Sequence, residues 1–193
     1  MRLLVTYLSI LLIPFLTTSK STTVVISNDS KLTILGYTNI NTFECQLDFQ
    51  FVNPTLDVGY EQRGKKISFR NANLKIANSC FDCGKKMMNK DFLKLLKTKQ
   101  YPNIEILLNE IDLISQQQAL ARVQLKIAGR KKEITVPIKI SNEQHLSVQG
   151  CMDVKLSDFE LEAPRKMLGL VVVSDAIEIH FDLNIKNKEI KKN

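Results

Sequence analysis

The sequence has no tryptophan and only two histidines in 193 residues. Histidine is the commonest general acid or base, so its scarcity narrows the catalytic options. His145 stands at a strand start beside Glu143, and His180 lies between Ile179 and Phe181 in a polar phase. Neither has a partner at metal-ligand spacing, so both read as surface histidines. The seven glycines are scattered, which leaves no Gly-rich phosphate loop. No G-x-S-x-G elbow frames Ser157, and the acid pair Glu160 and Glu162 lacks a supporting constellation. A non-enzyme with no cofactor and no resident metal is therefore expected.

Long apolar runs are also missing, except at the start. Arg2 is followed by an almost wholly apolar stretch from Leu3 to Leu16, then by Thr17, Thr18 and Ser19. The run is shorter than the about 20 residues a membrane span needs. A basic start, an apolar middle and small residues at the end read as a signal peptide over residues 1–19. The mature chain is then periplasmic or secreted, with no integral membrane span after cleavage. The full sequence's formal charge of +7 is spread along it, with small clusters at Lys85-Lys86 and Arg130-Lys131-Lys132 and in the tail from residue 186 to 193. Aromatics do not interleave with these cations as a stacking platform would require, so no nucleic-acid partner is expected. The tail is expected to fray.

Alternation dominates what remains. Phe43, Cys45, Leu47, Phe49 and Phe51 are apolar, and the residues between them are polar. This period of two marks a strand with one buried face. Ala119, Ala121, Val123, Leu125 and Ile127 repeat it, and a turn at 128–131 returns the chain through Ile134, Val136, Ile138 and Ile140. Leu146, Val148, Met152, Val154 and Leu156 form another strand, and Ile177, Ile179, Phe181, Leu183 and Ile185 the last. Weaker strands are expected near Lys31 to Leu35, at 67–69, 74–76 and 104–108, and over 111–114. Pro137 cannot donate to a ladder, so it implies an edge, a bulge or a gap. One helix is expected, with Asn89 as N-cap, Asp91 in its first turn, and Met88, Phe92, Leu95 and Leu96 on one face.

These elements add up to an all-β fold over residues 31–185, an antiparallel barrel of about eight strands with one inserted helix. Its inward residues are Phe43, Leu47, Phe49, Phe51, Val123, Leu125, Ile127, Val136, Ile138, Leu146, Val148, Met152, Ile177, Ile179 and Phe181. Such a barrel either fills itself or holds one small ligand.

Four cysteines, Cys45, Cys80, Cys83 and Cys151, are all disulfide candidates in an exported chain. Cys151 is out of phase with its strand's inward residues, which disfavours a Cys45–Cys151 bridge. The connectivity otherwise stays open. Cys80-Phe81-Asp82-Cys83 is a C-x-x-C before a helix, which also allows a redox reading. A zinc site would need a second pair or histidine companions.

Four stretches resemble the YceI-like family of exported lipid-binding proteins. The first is Gly36-Tyr37-Thr38-Asn39-Ile40-Asn41-Thr42-Phe43. The second runs from Met87-Met88-Asn89-Lys90-Asp91 to Lys99-Gln100-Tyr101-Pro102-Asn103-Ile104. The third is Leu125-Lys126-Ile127-Ala128-Gly129 with Ile134 to Ile138, and the fourth is Leu156-Ser157-Asp158-Phe159 with Leu168-Gly169-Leu170 and the run from Asp175 to Phe181. The resemblance implies a lipocalin-like barrel with a helix beside it and an apolar tunnel for an isoprenoid or other amphiphilic chain. It also implies a homodimer. The chain departs from the family pattern in its cysteines and over 71–84. The expected function is a binding protein for a lipid-like small molecule, with Thr38, Asn39 and Asn41 as candidate polar groups at the mouth. The competing readings are a thiol–disulfide protein using Cys80 and Cys83, and a cell-envelope adaptor with a filled barrel.

Overall fold

The computed structural model describes residues 20–52, 55–142, 145–166 and 169–188. The expected signal peptide, residues 1–19, lies outside them, as does the end of the basic tail, residues 189–193. The strands are β1 (Lys20–Ile26), β2 (Lys31–Thr38), β3 (Thr42–Leu47), β4 (Thr55–Arg63), β5 (Lys66–Arg70), β6 (Asn73–Ala77) and β7 (Phe81–Asp82). After helix α1 (Lys86–Leu95) come β8 (Asn103–Leu113), β9 (Gln118–Ile127), β10 (Arg130–Ser141), β11 (Leu146–Lys155), β12 (Arg165–Lys166) and β13 (Val171–Lys188).

The order β1-β4-β5-β8-β9-β10-β11-β13 closes through β13–β1 pairing into a ring of eight antiparallel strands. Two long strands make this possible. One edge of β13 pairs β11, and its other edge is shared by β1 at one end and β2 at the other. One edge of β8 pairs β9, and its other edge is shared by β5 and β6. The half of the barrel away from β1 is walled by β2, β3 and β7, and a short 3₁₀ turn at Asn78–Cys80 links β7 to β6. Closure pairs the edges that would otherwise template aggregation.

β1 lies before the expected domain start at residue 31, yet it closes the ring. Lys186, Asn187 and Lys188, expected to fray, pair with Val25, Val24 and Thr23. The core is the inward phase of these strands. Ala119, Ala121, Val123, Leu125 and Ile127 are all buried, as are Val136, Ile138, Met152, Val154 and Ile179.

Pro137 marks a gap. β10 pairs β11 only from Ile138 to Ser141, so the chain opens from β11 just where the proline lacks its N–H. The 3₁₀ turn Leu156–Phe159 and Leu161 fill the opening, with Leu156, Phe159 and Leu161 buried. Asp175 secures the turn by accepting from Ser157 N (2.8 Å) and Ser157 Oγ (2.6 Å).

Two expectations fail locally. Phe51, expected inside, is 74% exposed. The Asp48 side chain accepts from Gln50 N and turns Phe49–Phe51 into a 3₁₀ helix. Alternation stops there, so Phe49 stays in the core and Phe51 faces solvent. Asn89 is not the N-cap, because α1 begins three residues earlier and Lys85 occupies that position. Asn89 Oδ1 instead accepts from Cys83 N (2.7 Å), and its amide donates to Asp82 Oδ1 (2.9 Å), bracing the loop before the helix. Asp91 is therefore beyond the first turn. The expected apolar face is present: Met88, Phe92 and Leu95 pack on the core, and Leu96 is buried.

The β9–β10 hairpin turns on Ala128 (φ 48°) and Gly129 (φ 80°). Positive φ at both central residues matches the twist of the flanking strands. A Cβ at Gly129 would lie 2.6 Å from the Tyr101 ring. Gly129→Ala is expected to destabilise by about 1–3 kcal/mol, read as a lower urea midpoint at unchanged slope.

Candidate ligand-binding interior

The apolar interior contains a cavity of about 70 Å³ with no polar surface. Leu32 and Ile34 of β2, Ile104 and Ile106 of β8, Leu125 and Ile127 of β9, and Met152 and Val154 of β11 form its walls. Phe92, Leu95 and Leu96 close one side, and Leu156, Phe159 and Leu161 another. One water-sized group needs roughly 10–15 Å³, so the cavity takes a short run of methylenes. Most of the interior is filled by the protein's own side chains.

Beside the cavity is a solvent-open depression of about 680 Å³. Phe43, Cys45, Phe92, Leu95 and Val173 border both spaces. Phe43 can lie over β2 because Gly36 is opposite: a Cβ there would come within 2.3 Å of the ring. Phe92 is held by Phe81, with ring centroids 5.4 Å apart.

The structure brings six of the expected inward residues to the cavity: Phe43, Leu125, Ile127, Met152, Ile177 and Ile179. Leu47, Phe49, Val123, Val136 and Ile138 are buried in the same core without bordering it. Val148 and Phe181 pack partly buried against the core, and Leu146 is half-buried. The helix face and the Leu156–Leu161 segment were not among the expected site residues. The apolar spacing of Met88, Phe92 and Leu95 carried that signal for the helix.

Thr38 and Asn41 border the depression. Their side chains are engaged in the β2–β3 turn, where Thr38 Oγ1 accepts from Asn41 N (2.9 Å) and donates to Asn41 O (2.8 Å). Asn39 acts as a backbone surrogate. Its amide donates to Leu170 O (2.9 Å), and its Oδ1 accepts from Val172 N (3.0 Å). The turn is thus pinned to the start of β13, and the mouth has a fixed edge. Ile40, Met87 and Leu170 are exposed on the segments around this opening.

The cysteines resolve into one bond and two free thiols. Cys45 and Cys83 form a disulfide, with Cα atoms 4.0 Å apart. β3 pairs β7 with Leu47 opposite Phe81 and Gln46 opposite Asp82, and the next step of that register puts Cys45 opposite Cys83. Both sulfurs' residues border the depression. Cys80 is free and buried, and burial pushes its thiol up from the ordinary range. A thiolate is the reactive form, so this environment opposes redox use of the C-x-x-C. Cys151 is free and exposed, far in sequence from the bridge.

The fold and its interior define an antiparallel barrel with an apolar core cavity that opens beside a helix. A family model for the YceI-like domain matches residues 48–185, and the chain belongs to that family. Solved structures share the fold at low identity. BcnA of Burkholderia cenocepacia is 20% identical, with a TM-score of 0.63 over 81% of this chain and 96% of that one. A polyisoprenoid binding domain from Saccharophagus degradans, implicated in plant cell wall breakdown, is 14% identical, with a TM-score of 0.64 over 88% of this chain and 100% of that one. The Campylobacter jejuni YCEI protein is 18% identical, with a TM-score of 0.51 over 65% of this chain and 73% of that one. No curated protein sequence gives a significant match. Among the described residues, no helix is long and apolar enough to cross a membrane.

Proposed function

We propose that the protein is an exported, non-catalytic carrier that takes the tail of an isoprenoid-like amphiphile into the barrel and leaves its headgroup at the mouth. The observation that carries this reading is the shared wall of Phe43, Cys45, Phe92, Leu95 and Val173 between cavity and depression. Each methylene withdrawn from water into that interior stabilises by about 0.8 kcal/mol. A tail longer than the cavity enters by displacing the side chains that border it. The helix face, which is only partly buried, is the wall best placed to move. The likeness to a polyisoprenoid binding domain supports the ligand class. The disulfide fits an oxidising compartment, in line with the signal-like N-terminus.

Native mass spectrometry of the mature protein, with organic extraction, tests the proposal. The expected spectrum shows one hydrophobic ligand per chain, or a mass shift when a polyprenyl phosphate or fatty acid is added. A ligand-free mass that no amphiphile shifts would falsify the carrier reading and favour a self-filled adaptor barrel.

A further inference from the structure

The outer face of the barrel carries a second cluster, unrelated to the interior. Cys151 of β11 and His180 of β13 are directly opposite in the strand register. Glu178 lies two residues before His180, so its side chain emerges on the same face. Cys151 Sγ is 3.6 Å from His180 Nε2, which is 2.8 Å from Glu178 Oε2. One donor atom from each residue lies within 4.8 Å of the others. The other carboxylate oxygen, Glu178 Oε1, accepts a 2.6 Å hydrogen bond from Tyr37 Oη on β2.

We propose that Cys151 Sγ, His180 Nε2 and Glu178 Oε2 form a three-ligand site for Zn²⁺, with water in the fourth position. Zinc bonds thiolate sulfur at about 2.3 Å and imidazole nitrogen at about 2.0–2.1 Å. Tetrahedral angles then separate the two ligand atoms by roughly 3.5–3.6 Å, which the thiol and imidazole already meet. Only the carboxylate must rotate, widening its 2.8 Å hydrogen bond to the imidazole. Tyr37 holds the far oxygen during that rotation, as an outer-shell partner orients a metal ligand. Asp153 is opposite Glu178 in the register and adds negative charge beside the site. On binding, the Cys151 proton leaves to solvent and the metal takes its place.

A surface hydrogen-bond chain from Tyr37 through Glu178 to His180 would need no thiol. The exposed Cys151 supplies the soft donor that turns this chain into a ligand set suited to zinc. Access is open: the His180 side chain is 50% exposed. An open groove of about 890 Å³, bordered by Cys151, His180, Gln149 and Thr33, leaves room for a fourth ligand.

The test is titration of the metal-free mature chain with Co²⁺, followed by Zn²⁺ displacement. The expected result is a 1:1 tetrahedral Co²⁺ spectrum with a thiolate charge-transfer band, lost on adding Zn²⁺. Cys151→Ser is expected to remove that band, and His180→Gln to weaken Zn²⁺ binding by at least the about 10–100-fold that losing an outer-shell partner costs. Tyr37→Phe should weaken it by about tenfold. Absence of the band, its persistence in Cys151→Ser, or unchanged affinity in His180→Gln overturns the proposal. Should Cys151→Ser fail to fold, alkylation of wild-type Cys151 with iodoacetamide decides. Zinc protection supports the site, and an unchanged rate overturns it.

Discussion

Replacing Cys45 and Cys83 together by alanine is expected to lower the unfolding free energy by about 3–4 kcal/mol. The bond joins residues 38 apart in sequence, and the unfolded chain loses loop freedom accordingly. A loop of that length corresponds to about 4 kcal/mol in the chain-entropy model, and measured values commonly fall at 2–4 kcal/mol. For a domain of this size the melting temperature should fall by roughly 10 °C. The bond also ties β3 to the segment before α1, so its loss frees the helix wall of the mouth. Reductant should shift the wild type by the same amount and leave the double variant unchanged. Cys80→Ala is the control, since Cys80 is buried but outside the disulfide, so that variant should keep the wild type's response to reductant. A wild type whose melting point ignores reductant contradicts the assignment.

The strands legible in the sequence were those whose inner and outer phases differ cleanly. β9, β10 and the central part of β13 have aliphatic residues at every second position. β4 was missed because its apolar phase, Leu56, Val58 and Tyr60, is short and followed by charged and polar residues. β1 was missed because only Val24 and Ile26 mark its apolar phase and because it abuts the signal-like run. Phe51 shows the opposite error: the alternation was real in sequence, but the Asp48 side chain captured a backbone N–H and broke the strand. Composition reports which side chains prefer burial, but it does not report where a local hydrogen bond overrides the period.

Register was the larger loss, because phase alone cannot supply it. Cys45 was correctly placed inward, yet its pairing with Cys83 depends on a two-residue strand aligned with β3. The Cys151–His180 contact was hidden in the same way. Both residues were seen to lie off the inward phase of their strands, but 29 residues apart they could not be matched without knowing how β11 meets β13. Glu178 and His180 were closer to legible. An acid and a histidine two apart on one strand share a face, and that spacing would have exposed the pair.

If the proposed carrier function holds, Val173→Trp is expected to lower amphiphile retention at least tenfold while leaving the fold intact. Val173 borders both the cavity and the depression, at the start of β13 and opposite Thr38. It is only half-buried, so an indole can turn into the depression without forcing the core apart. Excluding as few as two methylenes of a tail forfeits about 1.6 kcal/mol, or roughly fifteenfold in affinity. Displacement of a fluorescent polyene fatty acid measures the effect directly. Val172→Trp is the matched control: Val172 is exposed and borders neither space. Weak retention in Val173→Trp with normal retention in Val172→Trp places the tail at this passage. Equal retention in both variants means the ligand does not pass Val173, and the interior is then not its site.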